Sequence, residues 1–126
     1  MSKDPIEYLR HIFDECKFIL SVTGDNFSRD DLLQDETLKR ALVRSLEIIG
    51  EATKKIPADF KIKWDSINWK NMAGMRDRLI HDYMGVNYSI VWDVVRNKIP
   101  ELYEQIAEVI RYEQKTDGLI NSSNDA

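Results

Sequence analysis

Residues 4–20 read DPIEYLRHIFDECKFIL, and this stretch decides the fold class. Asp4, Pro5 and Glu7 suit the N-cap, the first position and the third position of a helix. Apolar residues then recur every three or four positions, which predicts a helix with one buried face. They are Ile6, Leu9, Ile12, Phe13, Cys16, Ile19 and Leu20. Gly24 is expected to end this helix, and the chain therefore begins as an α-helical protein.

The same reasoning places three further helices along the chain. Ser28 can cap a short turn, and a long helix is expected over residues 35–56. A basic and aromatic loop follows over residues 58–67. A third helix is expected over residues 68–83, closed by Gly85, and a fourth from about Asn87 onward. No stretch shows the alternating pattern of a strand, so the sequence predicts an all-α protein, a helical bundle.

Two residues inside these helices are unfavourable in a helix interior, and each predicts a particular local structure. Gly50 costs about 1 kcal/mol of helix propensity relative to alanine, so we expect a neighbouring helix to approach closely there. Pro100 removes one backbone hydrogen bond, so the fourth helix should kink or divide into two abutting helices.

The chain has 126 residues, of which 43% are hydrophobic, and this suits one domain. We expect a helical bundle domain over residues 1–113 and a flexible C-terminal tail over residues 114–126, where the sequence becomes small and polar.

Composition excludes several classes of protein. Cys16 is the only cysteine, which excludes an internal disulfide and a Cys-rich zinc site. No apolar run approaches the roughly 20 residues that span a bilayer, and no secretion leader is evident, so we expect a cytoplasmic protein with no membrane partner. Scattered glycines and only two histidines argue against a phosphate-cradling loop and a di-iron site. Neither a metal nor a cofactor is expected.

The net charge of −4 conceals a basic segment. Residues 54–81 contain seven basic and three acidic side chains, which gives +4, whereas each flanking segment carries −4. Because screening limits distant charges to about 10 Å, such a segment can bind a polyanion on an acidic protein. Lys61, Lys63, Lys70 and Arg78 are therefore candidate contacts to a polyanion such as RNA. A solvated helix surface is the alternative reading.

Residues 74–86, GMRDRLIHDYMGV, combine a permanent cation, a group that titrates near neutrality and a phenol. Asp77 precedes His81 by one turn, so its carboxylate could orient the imidazole. Arg76 and His81 are five residues apart, about 140° around an ideal helix. They can act on one small group only if the helix ends near His81 or if a second copy of the chain contributes one of them.

The spacing Arg76-x4-His81-x-Tyr83 resembles the signature of the HEPN superfamily, and specifically of its HepT-like toxin ribonucleases. The surrounding text is also similar to this family over residues 4–112. Asn87 departs from it, because an acidic residue is common at that position. The similar stretches are Leu46-Glu47-Ile48-Ile49-Gly50-Glu51-Ala52, Trp69, Ala73-Gly74-Met75-Arg76-Asp77, His81-Asp82-Tyr83-Met84-Gly85-Val86, Val91-Trp92 and Ile99-Pro100-Glu101-Leu102.

The resemblance implies a bundle of four to five helices that forms a homodimer with two copies of the motif in a shared cleft. It implies a metal-independent endoribonuclease, the toxin of a toxin–antitoxin pair, in which Arg76 and His81 are catalytic while Asp77 and Tyr83 support them. It also implies a minimal nucleotidyltransferase (MNT) antitoxin as partner, associated with AMP transfer to Tyr83 (AMPylation).

Two alternatives share the same fold. In one, the protein is a non-catalytic HEPN module that binds a nucleotide or RNA without cutting it. In the other, the bundle is only a scaffold for an enzyme partner.

Overall fold

The computed structural model describes the backbone of residues 4–80 and 85–124, and the side chains of residues 4–80 and 85–115. Throughout these ranges the regular structure is helical, and two residues form a single isolated β-bridge. The all-α prediction is confirmed. The predicted number of four to five helices is too low, because in the described residues the predicted elements are divided into shorter helical segments. The segments are α1 (Pro5–Val22), α2 (Arg29–Gln34), α3 (Glu36–Lys55), α4 (Ala58–Lys63), α5 (Trp69–Ala73), α6 (Met75–Leu79), α7 (Tyr88–Asp93), a π-helical turn (Val94–Lys98) and α8 (Ile99–Asn124).

Helices α1 and α2 begin at the capping residues that the sequence predicts. The Asp4 carboxylate accepts a hydrogen bond from the Ile6 N–H at the start of α1. Ser28 and Asp31 form a reciprocal capping box at the start of α2. These side chains satisfy backbone donors that the first turn of a helix leaves without a partner.

Helix α1 packs against both α3 and α8, and this three-helix unit contains most of the core. Its central residues are fully buried, and burying each such side chain stabilises the fold by about 1.5–3 kcal/mol. They include Leu9, Ile12 and Ile19 of α1, Leu42, Leu46 and Ile49 of α3, and Ile99 and Ile106 of α8. No helix among the described residues is both long enough and apolar enough to cross a membrane.

The prediction of a loop over residues 58–67 is partly wrong, because α4 occupies the first half of this range. The end of α4 is fixed to α8 through Glu113. The Glu113 carboxylate lies 2.9 Å from Lys63 Nζ and accepts a hydrogen bond of 2.9 Å from Trp64 Nε1. The Trp64 ring also meets the Tyr112 ring edge-on.

The interruption expected at Pro100 is a π-helical turn between α7 and α8. Ile99 N–H donates to the carbonyl of Val94, five residues earlier, in place of the usual four. Since proline has no N–H and its ring clashes with the carbonyl four residues before it, a wider turn at this point removes the conflict. The backbone of α8 is helical as far as Asn124, so no helix ends at residue 113. Flexibility of residues 114–126 stays a prediction.

Candidate active site

The third predicted helix is interrupted within its sequence. Gly74 has φ −84° and ψ 4°, and it ends α5 and begins α6. Its N–H still donates to the carbonyl of Lys70, and its carbonyl accepts from the N–H of Arg78, so the two short helices remain hydrogen-bonded through the break. The predicted continuous helix over residues 68–83 is therefore wrong. The sequence placed Arg76 and His81 on one helix, whereas α6 carries Arg76 and ends at Leu79.

A small backbone clamp marks the end of α6. Ile80 is extended, with φ −110° and ψ 111°, and forms an antiparallel bridge with Val86. Next to this bridge, Asn87 N–H donates to the carbonyl of Leu79 at 2.8 Å. Gly85 has φ +137°, a backbone conformation that side chains with a Cβ rarely adopt. Gly85 lies in this clamp. The expectation that it closes the third helix is wrong, because α6 has already ended at Leu79.

His81 and Tyr83 are named by the sequence analysis but lie outside the described residues. The chain positions on either side of them are defined. Residues 81–84 connect Ile80 to Gly85, and Ile80 is paired with Val86, the residue that follows Gly85. Of the two conditions raised by the 140° separation, an end of the helix before His81 is met.

Arg76 lies on the side of α6 that faces α3. Its Nε is 3.7 Å from Oε2 of Glu47, which is too long for a hydrogen bond and defines a loose ion pair. The Arg76 side chain is 55% exposed and that of Glu47 is 24% exposed. A guanidinium held this loosely keeps most of its donors available to an anion.

Close packing against α3 positions the α5–α6 unit. A Cβ built on Gly50 would lie 3.2 Å from the backbone carbonyl oxygen of Met72. The expected close approach at Gly50 is thus confirmed, and it brings Glu47, one turn earlier on α3, within reach of Arg76.

The four candidate RNA contacts occupy different surroundings. Lys61 and Lys70 line one shallow depression beside α4 and α5. Lys63 pairs with Glu113 and lies over the rings of Trp64 and Tyr112, an arrangement with a structural role. Arg78 lines a separate cavity near the start of α8. Asp77 is exposed on α6, and its expected contact with His81 stays a prediction.

One further nucleophile can be set aside. Burial, with a smaller contribution from the charge of Glu15, raises the pKa of the Cys16 thiol to about 12. The thiol is therefore protonated at neutral pH and inaccessible, which makes Cys16 a core residue.

The sequence analysis named Glu47 only within a stretch similar to the family and overlooked Lys98. Glu47 is the acidic partner of Arg76, and Lys98 shares the cavity of Arg78. No short motif links these positions. Lys98 stands two residues before Pro100. A proline disturbs the helical turn before it, and this was the sequence feature that could have drawn attention to Lys98.

The fold and this geometry define a helical protein with a half-exposed arginine beside the end of a short helix. The sequence profile of the family described as "Ribonuclease HepT-like" matches residues 6–109, and the chain belongs to this family. No solved structure is significantly similar to the chain.

Curated relatives agree with this assignment. The chain is 49% identical to "Putative RNase TTE0752" of Caldanaerobacter subterraneus subsp. tengcongensis, over 89% of this chain and 99% of that protein. It is 44% identical to "Putative RNase MJ0127" of Methanocaldococcus jannaschii, over 86% and 89% of the two chains. It is 41% identical to "Probable ribonuclease HepT" of Thermococcus cleftensis, over 81% and 92%.

Proposed function

We propose that the protein is a metal-independent endoribonuclease in which Arg76 and His81 carry the chemistry. The observation that carries this proposal is the half-exposed Arg76 guanidinium, loosely paired with Glu47, in a chain of the HepT-like ribonuclease family. The end of α6 at Leu79 supports it, because Arg76 and His81 then need not diverge around one helix.

RNA supplies its own nucleophile for this reaction. The 2′-oxygen attacks the adjacent phosphorus, its proton passes to a base, and the bond from phosphorus to the 5′-oxygen breaks as that oxygen is protonated. A histidine that titrates near neutrality can move these protons, which typically contributes 10²–10⁴-fold. The Arg76 guanidinium would stabilise the charge that develops on the phosphoryl oxygens.

Variants of the two residues test this assignment. RNA is incubated with the wild type, Arg76→Ala and His81→Ala in the presence of EDTA. Wild-type cleavage should persist in EDTA, and each variant should be at least about a hundredfold slower. Arg44→Ala, which removes an exposed arginine from α3, serves as the control and should cleave normally. Equal cleavage by His81→Ala and the wild type would reject the proposal.

We further propose that the active site is shared between two copies of the chain. In this arrangement Arg76 of one copy and His81 of the other act on the same phosphate. The family resemblance supports this arrangement, because it implies a homodimer with both copies of the motif in one cleft, and a closed two-fold dimer would form two such sites.

We also propose that the protein is the toxin partner of an MNT antitoxin that modifies Tyr83. The Tyr83 phenol oxygen would attack the α-phosphorus of ATP, releasing pyrophosphate and the phenolic proton, and would retain AMP as a phosphodiester. The added negative charge, two residues from His81, would compete with substrate phosphate for Arg76 and exclude RNA.

Intact mass after co-expression with such a nucleotidyltransferase tests the regulation. We expect a gain of one or more adenylyl groups in the wild type, none in Tyr83→Phe, and loss of RNA cleavage in the modified sample only. Full cleavage by protein modified at Tyr83 would contradict the switch.

A further inference from the structure

A cavity of about 220 Å³ lies between the α5–α6 unit and the start of α8. Its floor is apolar and well packed, since the residues that form it are buried in the core. The floor residues are Met72, Met75, Val94, Ile99 and Leu102. Methionines adapt their shape to a flat ligand more readily than branched side chains do.

Two cations from different elements border this cavity. Arg78 comes from α6 and Lys98 from the last position of the π-helical turn, and both are exposed. Within the part of the chain that the structure describes, neither side chain forms an ion pair. Glu101 is the only acidic residue among the described lining residues, so the ionisable groups of the rim sum to +1.

Three polar side chains complete the rim. The side chains of Asn71, Glu101 and Gln105 line the cavity, and in the described ranges they make no hydrogen bond to the protein. Amides and a carboxylate together offer both donors and acceptors above an apolar floor. This combination is the usual composition of a small-molecule site.

The size of the cavity limits what it can hold. An engineered cavity of about 150 Å³ accommodates benzene, whereas sites for drug-sized ligands start at about 300 Å³. A volume of about 220 Å³ therefore suits one planar heterocyclic ring system with its polar edge, and not a folded or double-stranded nucleic acid.

We propose that this cavity binds one nucleotide unit of the RNA substrate, with the base on the methionine floor and the phosphate at Arg78 and Lys98. The assignment rests on the proposed function for the choice of RNA as the source. Its position fits this role, because Met75 lines the cavity and is adjacent in sequence to Arg76. Arg78 lies about 200° around the helix from Arg76, so the two arginines would hold different phosphates of one strand.

Methionine-methyl NMR tests the site directly, without requiring catalysis. Protein labelled with ¹³C-methyl methionine is titrated with adenosine 5′-monophosphate, with ribose 5-phosphate and with inorganic phosphate. The Met72 and Met75 signals, assigned by substitution, should shift saturably with the nucleotide and not with the two ligands that lack a base. A single-stranded 2′-O-methyl RNA oligonucleotide, which cannot be cleaved by 2′-hydroxyl attack, should move the same signals at lower concentration.

A matched pair of variants tests the phosphate contact. Lys98→Gln should weaken nucleotide binding about tenfold, the effect of losing one charge-assisted hydrogen bond. Lys17→Gln, the same substitution at an exposed position of α1, should leave the affinity unchanged.

Five results would decide whether the cavity is a nucleotide site. The absence of a saturable shift at Met72 and Met75, an equal shift with ribose 5-phosphate, or equal weakening by both variants would overturn the proposal. Shifts with the free nucleotide but not with the oligonucleotide would overturn RNA as the source. Binding in a protein that fails to cleave RNA would reject the proposed function while leaving the nucleotide site standing.

Discussion

At the scale of single residues, the key feature is a weak ion pair next to the proposed reaction site. Arg76 and Glu47 approach to 3.7 Å, and an exposed pair at that distance is worth less than about 1 kcal/mol. The pair therefore contributes little to folding, and its more important effect is on where the guanidinium rests. Glu47 also places a negative charge near the path of an incoming phosphate.

Glu47→Gln should separate these two effects. Without its partner charge Arg76 is less well oriented, so we expect kcat for RNA cleavage to fall about fivefold. KM should not rise, because the substitution removes a charge that repels RNA. Thermal stability should change little. Glu51→Gln, one turn further along α3 and paired with Lys54 at 3.9 Å, is the matched control. A raised KM with unchanged kcat would show that Glu47 does not position Arg76.

At the scale of helices, sequence patterns predicted the long elements well. Helix α3 was expected over residues 35–56 and spans Glu36–Lys55, because its capping aspartate, its apolar face and Pro57 all agree. In α1 the buried face is centred on Ile12 and Ile19, while Ile6, Phe13 and Leu20 lie partly buried at its border. Local signals suffice when a helix packs along its whole length.

The short elements depended on contacts between distant residues, which sequence patterns do not contain. A glycine such as Gly74 is tolerated within many helices, and nothing local required a break there. The end of α6 is fixed by the hydrogen bond between Asn87 and Leu79, eight residues apart, and by the bridge at Ile80. Helix α4 had a local signal that was overlooked: Asp59 in its first turn and lysines in its last turn complement the helix dipole.

Gly50→Ala tests the close packing of α3 against α5. The added methyl group would meet the Met72 carbonyl oxygen at 3.2 Å, and a backbone atom can yield only by moving α5. Alanine gains about 1 kcal/mol of helix propensity, but overpacking typically costs 1–3 kcal/mol, so we expect a net loss of about 1 kcal/mol in chemical denaturation. Gly24→Ala, where nothing lies within 4 Å, should not destabilise the protein. A Gly50→Ala protein as stable as the wild type would contradict this account.

Glu113 makes the attachment of α4 to α8 dependent on pH. Partial burial alone would raise the pKa of Glu113, but hydrogen bonds from Lys63 and Trp64 and the charge of Lys63 outweigh it, and the pKa is lowered. A lowered pKa in the folded state means that the stabilisation is present above the unfolded-state pKa of about 4.3. It is lost as the pH falls through the folded-state value.

The corresponding prediction compares Glu113→Gln with the wild type at two pH values. At pH 7 the variant should be less stable by about 1 kcal/mol, since the partly solvated contact is screened. The difference should shrink in acid, once the pH has fallen through the lowered folded-state pKa of Glu113 and the wild-type carboxylate is protonated. Glu104→Gln, an exposed substitution on α8, should show neither effect. An equal deficit at both pH values would show that the charge of Glu113 is not responsible.

At the scale of the whole molecule, the question is whether two chains build one site. The family assignment could be made from the motif and its context, because the spacing of Arg76, His81 and Tyr83 is local information. How two copies of the chain would pack together depends on the complementarity of their surfaces, which the helical periodicity of a sequence does not describe.

Mixed pairs of inactive variants test the shared site. Arg76→Ala and His81→Ala chains are co-expressed with different affinity tags, and the mixed pair is purified on both tags. If each site takes Arg76 from one copy and His81 from the other, one of the two sites is intact. The mixed pair should then recover about half of the wild-type activity. A mixed pair as inactive as its parents, or a failure of the two chains to co-purify, would contradict the shared site.

We propose that this protein cleaves RNA by attack of the 2′-hydroxyl, and the chemical groups at the cut ends distinguish this reaction from attack by water. A single-stranded RNA is digested in EDTA, its cleavage position is mapped by mass spectrometry, and the digestion is repeated with 2′-deoxyribose at that one position. We predict a 2′,3′-cyclic phosphate on one product, a 5′-hydroxyl on the other, and no cleavage at the deoxy position. Cleavage of the deoxy substrate at the same bond, or a 5′-phosphate on the product, would contradict the account.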